Sequence, residues 1–129
     1  MAGFTDYLED KVLDHVFGGS SYSAPGTLYV GLFTAAPSDT GGGTEVSGGS
    51  YARKSMPAMT VSGTTQATNG AAVEFVTATG SWGTITHTGI FDASSSGNLL
   101  CWAALSASKV VASGDVIRFD AGDLDVTLA

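Results

Sequence analysis

A chain of 129 residues with 43% hydrophobic content and a mean hydropathy of +0.22 can bury a core and is too apolar to stay disordered. Charged residues make up only 13% of it, about half the usual share, and the formal net charge is −7 with a pI near 4.3. That balance excludes sequence-independent nucleic-acid binding, which needs clustered Lys and Arg to displace counterions; an acidic chain suits docking on a basic protein surface instead.

The opening segment, FTDYLEDKVLDHVFGG, predicts a helix over residues 4–18. Phe4, Leu8, Val12 and Val16 recur at helical spacing and form one apolar stripe, flanked by Tyr7 and Leu13. Asp6 followed by Glu9 suits a capping pair, and Gly18-Gly19 ends the helix because glycine tolerates the left-handed C-cap. The stripe is expected to rest on the chain's own sheet, with an outside contact as the alternative. His15 reads as a helix-end residue without chemistry. Met1 to Thr5 carries neither a basic n-region nor a long apolar run, so no signal peptide is expected. No stretch reaches transmembrane length, and synthesis in a reducing cytoplasm is the expectation.

After a Ser/Pro connection the pattern changes to strands. TLYVGLFT, Thr27 to Thr34, is apolar on both faces and reads as a central strand, with Gly31 marking a close approach or a bend. Pro37 ends it. Ser38 to Ser50 is almost wholly small or polar and reads as a glycine-rich extended loop. SYARKSMPAMTV follows as a strand interrupted at Pro57. Further strands are expected in AAVEFVTAT, WGTITHTGIFD, NLLCWAAL, GDVIRF and LDVTLA, the last alternating Leu124, Val126 and Leu128 with polar residues. Turn signals at Thr68-Asn69-Gly70, Ser96-Gly97-Asn98, Ser113-Gly114-Asp115 and Ala121-Gly122-Asp123 separate them. The expected fold is one mainly-β domain over 1–129, an antiparallel β-sandwich or small barrel with one N-terminal α-helix.

Chemistry is hard to find in these residues. Gly41-Gly42-Gly43 is followed by Thr44-Glu45-Val46, so neither the lysine nor the helix of a phosphate loop is present. His87, in ITHTGIFD, reads as a half-buried strand residue on the Ile85 face, and no nucleophile-elbow pattern supports a triad. Cys101, the one cysteine, lies in an apolar run and reads as a small buried hydrophobe. Asp120, Asp123 and Asp125 could offer oxygen ligands to calcium, but turn-forming Asp beside glycine explains the same residues. No catalytic residue, cofactor or metal site is expected. Asp6, Glu9, Asp10 and Asp14 at one end and Asp115, Asp120, Asp123 and Asp125 at the other hold eight of the twelve acids, which leaves a nearly neutral middle whose Gly, Ser and Thr loops can lie on a partner without burying unpaired charge.

FTDYLEDKVLDHVFGG and LYVGLFTAAPSDTGGGTEVSGGSYARK resemble small virion proteins of tailed bacteriophages, commonly labelled tail-fibre-like, and SGDVIRFDAGDLDVTL resembles their closing strands. The resemblance implies a structural protein of the particle, made in the host cytoplasm and without catalytic residues. Capsid decoration is the leading expectation, as a cement subunit contacting the major capsid protein or neighbouring subunits as a homo-oligomer. A tail-fibre or tail-tip role is the alternative, since a chain with no repeat or heptad cannot itself build a long shaft. A third is a carbohydrate-binding β-sandwich, with Trp82 as the exposed platform, Tyr51 as a possible second face and Trp102 in the core. On the assembly reading, ordering a flexible glycine arm against a neighbour offsets its entropy cost. The candidate interface is then Asp39, Glu45 and Val46 in the loop, with Tyr51, Arg53 and Lys54 anchoring its return.

Overall fold

The computed structural model describes residues 3–63 and 65–127; Leu128, expected as the last inward residue of the closing strand, lies outside them. In chain order the elements are β1 (Gly3–Phe4), α1 (Asp6–Leu13) with a π-helical turn (Asp14–Gly18), β2 (Leu28–Ala35), β3 (Thr44–Glu45), β4 (Lys54–Met56), β5 (Thr60–Ser62), β6 (Gln66–Thr68), β7 (Val73–Glu74), β8 (Gly83–Phe91), β9 (Leu99–Val111), β10 (Arg118–Phe119) and β11 (Asp125–Thr127). The fold is mainly β and wholly antiparallel in its pairings. A six-stranded sheet runs β1-β9-β8-β2-β3, with β4 also paired to β2, and two small sheets join β10 to β7 and β11 to β6 and β5. The sheets do not close into a barrel.

The central strand β2 has both faces covered, as its apolar run requires. Val30 and Leu32 point into the main core with Ile90 and Cys101, and Trp82, Phe75, Val73, Ile117, Phe119 and Leu124 close it from the far side. On the other face of the sheet Phe33 and Phe91 stack at 5.9 Å. Gly31 and Gly89 face each other across β2 and β8, and the space a side chain would take is already filled. A Cβ on Gly31 would lie 2.8 Å from Phe91 Cε2 and 3.0 Å from Glu45 Oε2, so an alanine there would displace the ring that covers this face. Gly31 therefore marks a close approach.

Some local expectations differ. No Asp6–Glu9 capping box forms: the N-cap is Thr5, whose side chain makes no cap bond. Its hydroxyl instead donates to Leu99 O at 2.6 Å, and its amide donates to Leu100 O at 2.9 Å, which stitches the helix start to β9. Leu8 and Val12 are half-buried, whereas Val16 is exposed, because the π turn carries the end of the stripe off the sheet. His87 does not share the Ile85 face. The register of β8 against β9 shifts between Ile85↔Lys109 and His87↔Ala104, and this bulge turns His87 toward Trp102 while Ile85 stays in the core.

Turn polarity is used to close the fold. Asn69, read only as a turn residue, is 2% exposed. Its side chain donates to Ala71 O and Asp120 O and accepts from Gly122 N and Leu124 N, so every polar atom of the amide is used. Cys101 is buried as expected, and burial pushes its thiol up to about 12. An unfolded thiol titrates near ~8.5. Above that pH the unfolded chain loses a proton that the native chain keeps, so stability falls as pH rises, by at most ~1.4 kcal/mol per pH unit for this group. Folded protein is therefore expected to resist a thiol reagent at pH 8 and to react only in urea; labelling of the native chain would contradict that burial.

Candidate functional site

The glycine-rich segment 38–50 folds back on its own subunit. Ser38 and Gly41 exchange backbone hydrogen bonds at 2.9 Å each, and Gly41, Gly42 and Gly43 all adopt positive φ, at 99°, 80° and 75°. Gly43 lies so near Pro37 that a Cβ would meet its nitrogen at 2.7 Å. The glycine run thus provides a tight left-handed reversal that L side chains would strain. Past it, Thr44–Glu45 pairs with β2 and the Val46 amide donates to Leu32 O at 3.0 Å. Gly49 closes the loop: its carbonyl accepts the Thr79 amide at 3.0 Å and the Trp82 indole N–H at 2.9 Å.

The return strand carries a buried ionic cluster. Arg53 donates through Nε to Glu45 Oε2 and through Nη2 to Glu45 Oε1, each at 2.8 Å, the bidentate geometry that suits a guanidinium and a carboxylate. Its Nη1 donates to Ala93 O and Ser96 O, and its guanidinium lies 3.4 Å from the Phe91 ring centroid. The Arg53 side chain is only 8% exposed and that of Glu45 25%. Tyr51 completes the cluster: its hydroxyl donates to Glu45 Oε2 at 2.7 Å and accepts from the Leu32 amide at 2.9 Å. Burial, and then the bond to Glu45, push the Tyr51 phenol above its ordinary range, so it remains a neutral donor.

The six residues of the expected interface therefore fall into two groups. Glu45, Val46, Tyr51 and Arg53 are engaged inside the subunit, where they pin the loop to both faces of the sheet. Asp39 and Lys54 are at the surface. Asp39 links the loop to the helix and to β9, since its carbonyl accepts the Asp6 amide at 3.0 Å and its Oδ1 accepts the Trp102 indole N–H at 3.2 Å. The sequence did not signal this ionic cluster, because Arg53 and Glu45 are eight residues apart in a stretch that reads as loop and strand.

Neither tryptophan keeps its expected place. Trp82 is 3% exposed, set edge-on to Tyr51 at 5.3 Å and to Phe75 at 6.4 Å, so it offers no platform. Its neighbours Ser81 and Gly83 suggested exposure, but the preceding turn drops the ring into the core. Trp102, in its apolar run, is half-buried beside His87 at 5.8 Å.

Elsewhere the acids serve turns. Asp115 accepts the Ala112 amide, Asp123 accepts the Asp120 amide, and Asp120 accepts Arg118 Nε at 2.8 Å. Among the described residues no three His, Cys, Asp or Glu side chains converge on a metal-sized site. A groove of about 570 Å³ opens between β9 and the closing segment, lined by Ala103, Leu105, Lys109, Ile117, Phe119 and Asp125 among others, with both charge signs. Several valines elsewhere are exposed (Val61, Val76, Val110 and Val116), but among the described residues the one run of large exposed apolar side chains within five consecutive positions is the helix end, where Leu13, Val16 and Phe17 face solvent.

Antiparallel sheets, a loop locked by one buried ion pair and an apolar helix end define a β-rich structural module. The chain belongs to the family described as Podophage GP4 fiber I protein gp80, whose model matches residues 3–127. It is thus a structural protein of a phage fibre and virion family. No curated protein matches the chain. Among the described residues no helix is long and apolar enough to cross a membrane.

Proposed function

We propose that this chain is a non-catalytic subunit of the podophage fibre apparatus that works through contacts with other proteins of the particle. The observation that carries this reading is the family match over residues 3–127, with its fibre description. The chain lacks a repeat or heptad for a shaft, so its part is a compact module borne on the fibre or at its attachment. Its internal Arg53–Glu45 pair and filled glycine positions suit a module that keeps its shape while contacts form around it.

Capsid decoration is the second reading, favoured by the charge-poor surface of Gly, Ser and Thr loops between the two acidic ends. On that reading the module sits on the major capsid protein, in many copies and as a homo-oligomer, with Asp39 and Lys54 at the contact. Glycan binding loses its best platform with the burial of Trp82.

Mass spectrometry of separated heads and tails from purified particles tests the assignment. A few copies per particle, confined to tails, are expected. Many copies on heads would replace the fibre reading with decoration, and absence from both would remove the chain from the particle.

A further inference from the structure

The helix end carries an apolar surface that the fold does not use. Leu13 is 57% exposed, Val16 60% and Phe17 82%, three large side chains within five residues of one another. A phenylalanine so fully in water usually marks a contact surface. This one is not on a loose terminus. The π turn is closed by Gly19 at φ 78°, whose amide donates to Asp14 O; the Ser20 amide donates to the same carbonyl at 3.0 Å. The Tyr22 amide donates to His15 Nδ1 at 3.1 Å, which fixes the turn from outside. Thr5 anchors the other end of the helix to β9. The apolar end is therefore held out by a rigid support.

The charges around it decide what can cover it. Glu9 and Asp10 lie on the turn before the knob and Asp14 within it, and none of the three forms an ion pair among the described residues, while Lys11, the helix's only lysine, sits over the Tyr7 ring at 5.6 Å. A second copy is a poor match. Of its remaining basic residues Arg53 is committed to Glu45 and Arg118 to Asp120 and Glu74, which leaves Lys54 and Lys109 on a chain of net charge −7. Two copies would bring like charges together at this rim. An anionic bilayer would repel it for the same reason.

We propose that Leu13, Val16 and Phe17 form a docking knob for a different protein of the particle, one that offers an apolar socket rimmed by Lys and Arg. The mode is a helix end seated in a groove, with anchors one turn apart supplying burial and the acidic rim fixing orientation. The inference rests on the virion reading above and names the surface by which the subunit joins its partner.

The test uses particles produced without this chain, separated into heads and tails, and titrates purified chain onto each. Wild type is expected to bind one fraction saturably and more weakly as salt rises. Phe17→Ser and Val16→Ser should keep the wild-type urea midpoint, since both sites are solvated, yet bind at least ~10-fold more weakly. Asp10→Lys with Asp14→Lys should weaken binding and flatten its salt dependence. Val61→Ser removes an equally exposed valine elsewhere, 75% exposed, and should bind as wild type.

Equal binding by wild type and Phe17→Ser would overturn the knob while leaving the virion reading intact. A wild-type self-association abolished by Phe17→Ser would reassign the surface to a second copy, and binding to anionic phospholipid vesicles would reassign it to a membrane. Failure of wild type to bind heads or tails would remove the virion reading and the knob with it.

Discussion

Replacing Arg53 with alanine is expected to lower the free energy of unfolding by about 3–5 kcal/mol, the usual consequence of removing one partner from a buried ion pair. The side chain does three things at once. It neutralises Glu45, satisfies two backbone carbonyls at Ala93 and Ser96, and covers Phe91. Alanine leaves the Glu45 carboxylate facing Tyr51 and an aromatic ring without a counter-charge. Arg53→Lys keeps the charge but not the fork, and should recover only a minor part. Urea denaturation of the two variants measures this directly. A loss below ~1 kcal/mol for Arg53→Ala would place the pair in the solvent-screened class instead.

Trp82→Ala should have a similar effect, about 3–5 kcal/mol by the range for aromatic truncation in a core. Its indole joins two segments distant in sequence, since the N–H reaches Gly49 O while the ring abuts Tyr51 and Phe75. Gly49 is shaped to receive it: a Cβ there would lie 2.9 Å from the indole nitrogen. Both substitutions act through Tyr51, which touches Trp82 on one side and Glu45 on the other, so their effects should not add. A double-mutant cycle in urea, with the intrinsic fluorescence of the Arg53→Ala background as the reporter of Trp82 burial, checks both the size and the coupling. A Trp82→Ala variant that unfolds at the wild-type midpoint would contradict the packing described here.

The mainly-β antiparallel fold and its N-terminal helix were legible because their signals are local. β2 and the first half of β9 announce themselves by apolar runs, the former bounded by Pro37, β8 does so by its β-branched content, and the helix by its four-residue stripe. Gly31 was legible as either a close approach or a bend, and the packing of Phe91 and Glu45 against it decides for the former. What escaped was non-local. β3 and β1 are two-residue strands whose pairing is set by the strands they join, and β6 was hidden in a turn-rich stretch. The burial of Trp82 has the same origin, because the chain's route after Gly80, and not the immediate neighbours, decides whether its indole is covered. The glycine loop was the largest difference. Its residues suggest flexibility in isolation, yet three successive positive-φ positions and the Gly49–Trp82 contact make it a fixed reversal.

One consequence lies in the order of synthesis. The start of the chain is completed by its far end: Gly3 and Phe4 pair with Trp102 and Cys101, and Thr5 reaches Leu99 and Leu100. The N-terminal helix leaves the ribosome long before this seat exists. Contacts of such long sequence separation close late and slowly. A nascent or truncated product that stops before β9 therefore cannot set the helix in its place. The folded subunit displays the Leu13–Phe17 end on a rigid base, so correct presentation of that end reports that β9 has been made and has paired with the start of the helix.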